Sequence, residues 1–111
     1  MRLAAQYADA CNLFGEPEVV CHKVTVLHAH CAEADRDPIA VQVTHLSEAA
    51  ILGAGDATER YDEAVATVEE QVGRYRELAE AGVQHAIVAL HLDGTPSQVE
   101  AFAPVIAAFR R

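Results

Sequence analysis

Apolar and polar positions along the chain fall into two spacings, which predict helices alternating with short strands. Leu3 and Tyr7 have the spacing of one helix face, and Cys11 to Phe14 form a short apolar strand that Gly15 closes. A longer helix is predicted next, because Pro17 suits a first helical position and apolar residues recur at helical spacing. The residues of that apolar face are Val20, Val24, Leu27 and Cys31.

The middle of the chain predicts a second strand followed by an irregular segment. Asp35 to Pro38 ends the long helix, and IAVQVTHL, residues 39–46, alternates apolar with smaller or polar residues. This alternation predicts a strand with both faces covered. The next segment, SEAAILGAGDA, is interrupted by Gly53 and Gly55, and we expect a loop or a short helix there.

Two further helices begin at capping boxes, Thr67-Val68-Glu69-Glu70 and Thr95-Pro96-Ser97-Gln98. The first of these helices should end at Gly82, and the strand QHAIVALH, residues 84–91, follows it. Pro104 should kink or split the second helix. The predicted apolar faces are Val68, Val72, Tyr75 and Ala79 in the first helix, and Val99, Phe102, Ile106 and Phe109 in the second.

The resulting order is α-β-α-β-α-β-α, with strands beginning near residues 10, 39 and 85. Such alternation implies parallel strands joined by right-handed crossovers. We therefore predict one α/β domain over residues 1–111, a partial TIM-barrel-like unit with about three parallel strands and four or five helices. The longer spacing before the third strand leaves room for an insertion at about residues 47–66.

Composition narrows the possible partners and the compartment. The 111 residues are 51% apolar, and 17 acidic against 8 basic side chains give a net charge of −9. This balance disfavours nucleic acid and anionic membranes as partners. No apolar run approaches a membrane span and no signal-peptide pattern opens the chain, so we expect a cytoplasmic protein. The odd number of cysteines, Cys11, Cys21 and Cys31, indicates reduced thiols.

Three blocks of the sequence carry a family resemblance. RLAAQYADACNLFG, PEVVCHKVTVLHAHCAEADRDP and TVEEQVGRYRELAEAGVQHAIVAL resemble, in this order, the C-terminal part of the luciferase-like oxidoreductases and monooxygenases, which depend on F420 or FMN. The resemblance implies the last three βα units of an eight-stranded barrel, entered just after the family's glycine-rich turn. The family's N-terminal strands and phosphate-gripping turn have no counterpart here. We therefore expect the chain alone to bind F420 or FMN poorly or not at all, and not to be catalytically competent by itself.

Ligands of barrel folds bind at the C-terminal ends of the strands, so the residues there are the cofactor-binding or substrate-cavity candidates. These candidates are Asn12, Phe14, Gly15, Thr44, His45 and His91. Asn12 and Thr44, with Gln42, either line a cavity or only satisfy interior hydrogen bonds. His45 and His91 have side chains suited to proton transfer. Because no carboxylate or nucleophile stands at a diagnostic spacing, a solvated or structural histidine is the alternative, and no catalytic residue is assigned.

A metal site is not expected. Cysteines and histidines cluster between residues 21 and 31, but His28 and Cys31 are the only histidine–cysteine pair at the spacing of one helix face. No CxxC or HxxxH pattern is present. Gly53 and Gly55 would suit a small anion-binding nest, although a flexible loop is the more ordinary interpretation.

An alternative function is a non-catalytic half-barrel that acts as an assembly or interaction module. A three-stranded parallel sheet leaves two edges unpaired and the lumen face uncovered, and proteins normally pair or cover such surfaces. We therefore expect a homodimer or a higher homo-oligomer that joins sheet edges or lumen faces.

Overall fold

The computed structural model describes residues 1–54, 64–90 and 95–110. Its helices are α1 (Arg2–Tyr7), α2 (Pro17–Glu33), α3 (Val68–Glu80) and α4 (Ser97–Ala107), and its strands are β1 (Ala10–Leu13), β2 (Gln42–Ile51), β3 (Val65–Ala66) and β4 (His85–Leu90). β1 and β3 each pair in parallel with β2, and β4 also pairs with β2. The predicted fold class, an α/β partial barrel unit with parallel strands, is confirmed.

The chain divides into two compact units, of which the first comprises Met1–Ser47 and Arg76–Ile87. The core of this unit includes the apolar face of α2, and all four residues predicted for that face are buried: Val20, Val24, Leu27 and Cys31. Leu13 of β1 and Val43 of β2 are buried as well. The helical spacing read from the sequence therefore identifies the side of α2 that packs inward.

Polar contacts hold the ends of the shorter elements in the first unit. The Arg36 guanidinium donates to the carbonyl oxygen of Ala5 at 3.2 Å, which satisfies one of the free carbonyl groups at the C-terminal end of α1.

The turn after α3 contains a glycine in close contact with α2. Gly82 follows α3 with a φ of +115°, and a Cβ there would lie 3.0 Å from Val24 Cγ1. Glycine is favoured at this position both by its left-handed backbone and by the close approach of α2.

The second unit comprises Glu48–Tyr75 and Val88–Arg111, and two buried glutamines organise its described part. Gln98 Oε1 accepts from the Ile51 N–H at 2.8 Å, and Gln98 Nε2 donates to the Ile51 carbonyl at 3.2 Å. Leu52 N–H donates to Ala66 of β3, so the Ile51 peptide groups face away from β3. The Gln98 amide thus bonds the side of β2 on which another strand would otherwise pair.

Gln71 makes comparable contacts from α3. Its Nε2 donates to the Ala50 carbonyl at 3.2 Å and to the Ala64 carbonyl at 2.9 Å. Beside these amides the rings of Tyr75 and Phe102 pack edge to face, with centroids 6.3 Å apart. Side-chain amides and two aromatic rings therefore fix α3 and α4 in this unit.

The second strand differs from its predicted bounds of 39–46. Pro38–Ala40 form a single 3₁₀ turn, because the Asp37 carboxylate accepts from the Ile39 N–H at 3.0 Å. β2 instead runs over Gln42–Ile51, so the prediction of a loop or short helix at SEAAI was wrong. Ser47 and Ala49 are buried and continue the alternation of β2, and Ala50 and Ile51 at its end are both buried. Packing has overridden the weak strand propensity of serine, glutamate and alanine.

The buried faces of the last two helices also differ from prediction. In α3 the buried positions are Gln71, Tyr75 and Leu78, and in α4 they are Gln98, Phe102 and Val105. Ala79 is exposed instead, as are Val99, Ile106 and Phe109. The hydrogen bonds of Gln71 and Gln98 to backbone groups of β2 explain why the buried faces differ from prediction. Each glutamine has to face the strand to make these bonds, so the side of the helix that carries it faces inward. α4 also continues through Pro104 without splitting.

The two predicted capping boxes differ in outcome. Thr67 precedes α3, and its Oγ1 accepts from the Glu70 N–H at 3.2 Å while donating to the Glu70 carboxylate at 3.1 Å. At α4, Thr95 Oγ1 accepts from the Ser97 N–H at 3.4 Å. Gln98, predicted as the partner in this second box, bonds Ile51 instead. Both helices begin where the sequence indicates, but only the first has its predicted cap pair.

Candidate functional site

Two of the predicted site residues contact each other directly. Asn12 and Thr44 are register partners in the parallel pair of β1 and β2. The Thr44 hydroxyl donates to Asn12 Oδ1 at 2.7 Å. Within the described residues no other side-chain partner is seen for either, so the Asn12 amide N–H groups and the Thr44 oxygen lone pairs stay available. The pair offers a hydrogen-bond donor beside an acceptor.

This pair lies on the exposed side of its sheet. Along β2, Val43, His45 and Ser47 are buried, whereas Gln42 and Leu46 are exposed. Side chains alternate between the two faces of a strand, so Asn12, Gln42, Thr44 and Leu46 share one side, which we call the open face. The apolar side of the same strands is buried with α2. The open face is the surface of the first unit on which a ligand would have access to the sheet.

The turn after β1 places the next two predicted residues. Phe14 is exposed, and Gly15 has a φ of +109°. A Cβ on Gly15 would meet Val19 Cγ1 at 3.2 Å, so both backbone conformation and space favour glycine. The turn is therefore tight, and it brings the start of α2 close to the C-terminal end of β1.

His45 lies on the opposite side of β2 from the open face. It is 1% exposed, and its Nε2 is 2.9 Å from the Gly15 carbonyl. A carbonyl only accepts, so Nε2 carries a proton and donates it to the Gly15 carbonyl, which leaves Nδ1 as the other ring nitrogen. That buried Nδ1 has no hydrogen-bond partner among the described residues. This geometry favours the structural alternative for His45, because the ring anchors the Gly15 turn rather than reaching the open face.

Thr44 and His45 also lie further from the end of their strand than predicted. Since β2 continues to Ile51, they occupy its N-terminal half instead of its C-terminal end. His91, the remaining candidate, falls outside the described residues. The structure thus brings Asn12 and Thr44 together at the open face and adds Phe14 and Gly15 at the adjoining turn. His45 contacts the Gly15 carbonyl but lies on the opposite side of β2 from the open face.

Sequence reasoning missed one charged residue at this turn. Lys23 of α2 directs its Nζ to the Phe14 carbonyl oxygen at 3.3 Å. Side chains on a helix tilt toward its N-terminus, so a long side chain in the second turn of α2 reaches back to the residues before it. The position of Lys23 relative to Gly15 and Pro17 was the available signal.

No cluster suited to a metal ion is found within residues 1–54, 64–90 and 95–110. His28 is exposed whereas Cys31 is fully buried, so the one pair with suitable spacing does not meet at a common site. His30 Nδ1 instead lies 3.2 Å from a Glu33 carboxylate oxygen. All three cysteines are free thiols. Gly55 lies outside the described residues, so the predicted glycine nest is not addressed.

The fold belongs to the class of partial β/α barrel units, and its sheet has one open face. No protein-family model and no curated protein sequence matches the chain. Among solved structures the fold matches that of an "F420-dependent secondary alcohol dehydrogenase in complex with an F420-acetone adduct" with a TM-score of 0.77 and 15% identity. The match covers 99% of this chain and 46% of the other, so the chain spans about half of that enzyme's length. At this identity the likeness establishes the fold alone.

Within the described part of the chain, no helix is long and apolar enough to cross a membrane.

Proposed function

We propose that this chain is the C-terminal βα portion of a luciferase-like oxidoreductase that uses F420, with FMN as the alternative cofactor. The observation that carries the proposal is the fold match, which extends over 99% of the chain to an F420-dependent enzyme. The three sequence blocks that resemble the luciferase-like family point independently to the same cofactor class.

The open face has the chemistry to meet such a cofactor. The pyrimidine part of a flavin or deazaflavin ring presents carbonyl acceptors next to an N–H donor. The Asn12 amide supplies a donor for a carbonyl, and the Thr44 hydroxyl oxygen supplies an acceptor for an N–H. When bound, the cofactor supplies the ring that accepts or gives hydride. Asn12 and Thr44 would bind and orient that ring.

The share of the enzyme that this chain represents limits what it does alone. The aligned part is 46% of the F420-dependent structure, and a cofactor of this size contacts a surface larger than one polar pair. We therefore infer weak cofactor binding by the chain alone, without hydride transfer. Catalysis requires surfaces supplied by the rest of a barrel.

The first experiment is an equilibrium fluorescence titration of the purified chain with F420 and, separately, with FMN. We expect saturable binding that Thr44→Val weakens about three- to tenfold, as loss of one hydrogen bond implies. Thr25→Val is the matched control, because the Thr25 hydroxyl donates to the Cys21 carbonyl on the exposed side of α2, away from the open face. Equal affinity in both variants would contradict the assignment of the open face.

A second candidate function is the non-catalytic assembly module. The observation that favours it is the exposure of β4, none of whose six residues is buried. In this alternative the chain binds neither F420 nor FMN, and its sheet edge or open face joins another copy. Absence of cofactor binding together with a stable oligomer in light scattering would favour this function over the first.

A further inference from the structure

Lys23 is the only lysine among the 111 residues. It is partly buried on α2, and its ammonium is held at the Phe14 carbonyl oxygen, just past the C-terminal end of β1. The ammonium has three N–H donors, and this contact uses one of them. The remaining donors lie beside the turn that adjoins the open face.

The charge of Lys23 has no carboxylate partner in the described part of the chain. Within that part the one ion pair closer than 4.0 Å joins His30 and Glu33. Charge-assisted hydrogen bonds to anionic oxygens are about twice as strong as neutral ones, so an ammonium held in place by a carbonyl and without an ion pair is suited to an anionic ligand.

We propose that Lys23 recognises the phosphate group of an acidic ligand at the C-terminal end of β1. A compact ammonium binds phosphate as a point charge, and the adjoining open face would receive the remainder of the ligand. Glu16 and Glu18 at the start of α2 oppose an anion, but both are exposed and therefore screened by solvent and salt. The assignment of the ligand as a cofactor rests on the proposed function, whereas phosphate recognition by Lys23 does not.

The single ε-amine permits a direct test with inorganic phosphate. The chain is acylated briefly with an N-hydroxysuccinimide ester, and mass spectrometry follows Lys23 and the α-amino group separately. We expect phosphate to slow acylation of Lys23 about threefold or more relative to chloride at equal ionic strength, because the bound anion occupies its donors. The α-amino group is the internal control and should react equally in both salts. Equal rates at Lys23 in the two salts would overturn the proposal.

A second experiment distinguishes a cofactor phosphate from a free one. FMN and riboflavin share one ring system and differ by a phosphate, so Lys23 should make FMN bind about tenfold more tightly. Lys23→Gln should abolish this preference, and Arg76→Gln, which removes an exposed cation from α3, should retain it. Equal binding of FMN and riboflavin by the unmodified chain would overturn a cofactor phosphate as the ligand. If neither compound binds, the flavin alternative fails, while the acylation result still decides the role of Lys23.

Discussion

At the scale of single residues, Gln98 bonds both peptide groups of Ile51 from a buried position. Gln98→Leu keeps a similar volume but leaves the Ile51 N–H without a partner. Burying an unsatisfied donor costs about 1–3 kcal/mol, so we expect the free energy of unfolding to fall by about 2 kcal/mol. Urea denaturation followed by circular dichroism measures this loss.

Gln6→Leu is the matched control for this prediction. Gln6 is exposed on α1, so the same substitution there should change the free energy of unfolding by less than about 0.5 kcal/mol. If Gln98→Leu were as mild as Gln6→Leu, the backbone bonds of Gln98 would not contribute to stability as argued.

The same glutamine illustrates what a sequence pattern predicts at the residue scale. Apolar spacing places glutamine on the solvent side of α4, since an uncharged polar residue is mostly exposed. Backbone groups of Ile51 and Ala54, distant in sequence, make its burial favourable. Lys23 was missed for a similar reason, because its contact with Phe14 depends on the turn between β1 and α2. Asn12 and Thr44 were chosen as candidates because polar residues inside apolar strands are conspicuous in sequence, and the structure shows that their side chains contact each other.

At the scale of elements, two glycines, one inside α3 and one just after it, should respond oppositely to alanine. A Cβ on Gly73, inside α3, would meet open space within 4 Å, so Gly73→Ala should stabilise by about 0.5–1 kcal/mol. Gly82→Ala should destabilise by more than about 1 kcal/mol, since its φ is +115° and a Cβ would approach Val24 at 3.0 Å. Thermal denaturation of the two variants compares the signs directly. A gain in stability for Gly82→Ala would contradict the packing of α2 against that turn.

Elements were predictable where local signals agree with packing. α2 follows its proline start and its spacing of apolar residues, and α3 begins at the Thr67 cap and ends before Gly82. The second half of β2 was not predictable, because Ser47, Glu48 and Ala49 have weak strand propensity. Burial of Ser47 and Ala49, and pairing with β3 at the following Ala50 and Ile51, favour the strand instead. The faces of α3 and α4 escaped prediction because backbone acceptors and donors in the sheet select a glutamine from each helix.

At the scale of the whole molecule, exposed apolar side chains on β4 motivate the expectation of self-association. Ile87 is 46% exposed on a strand without a buried residue, and an unpaired strand edge is a template for pairing with another chain. We expect a homodimer or a larger assembly at micromolar concentration by light scattering. Ile87→Glu should shift it toward monomer, because a charge on that edge opposes close approach of a second strand. Ile39→Glu is the matched control, since Ile39 is 81% exposed on the 3₁₀ turn rather than on the sheet. A compact monomer for the unmodified chain would refute self-association, and equal dissociation by both variants would place the interface elsewhere than β4.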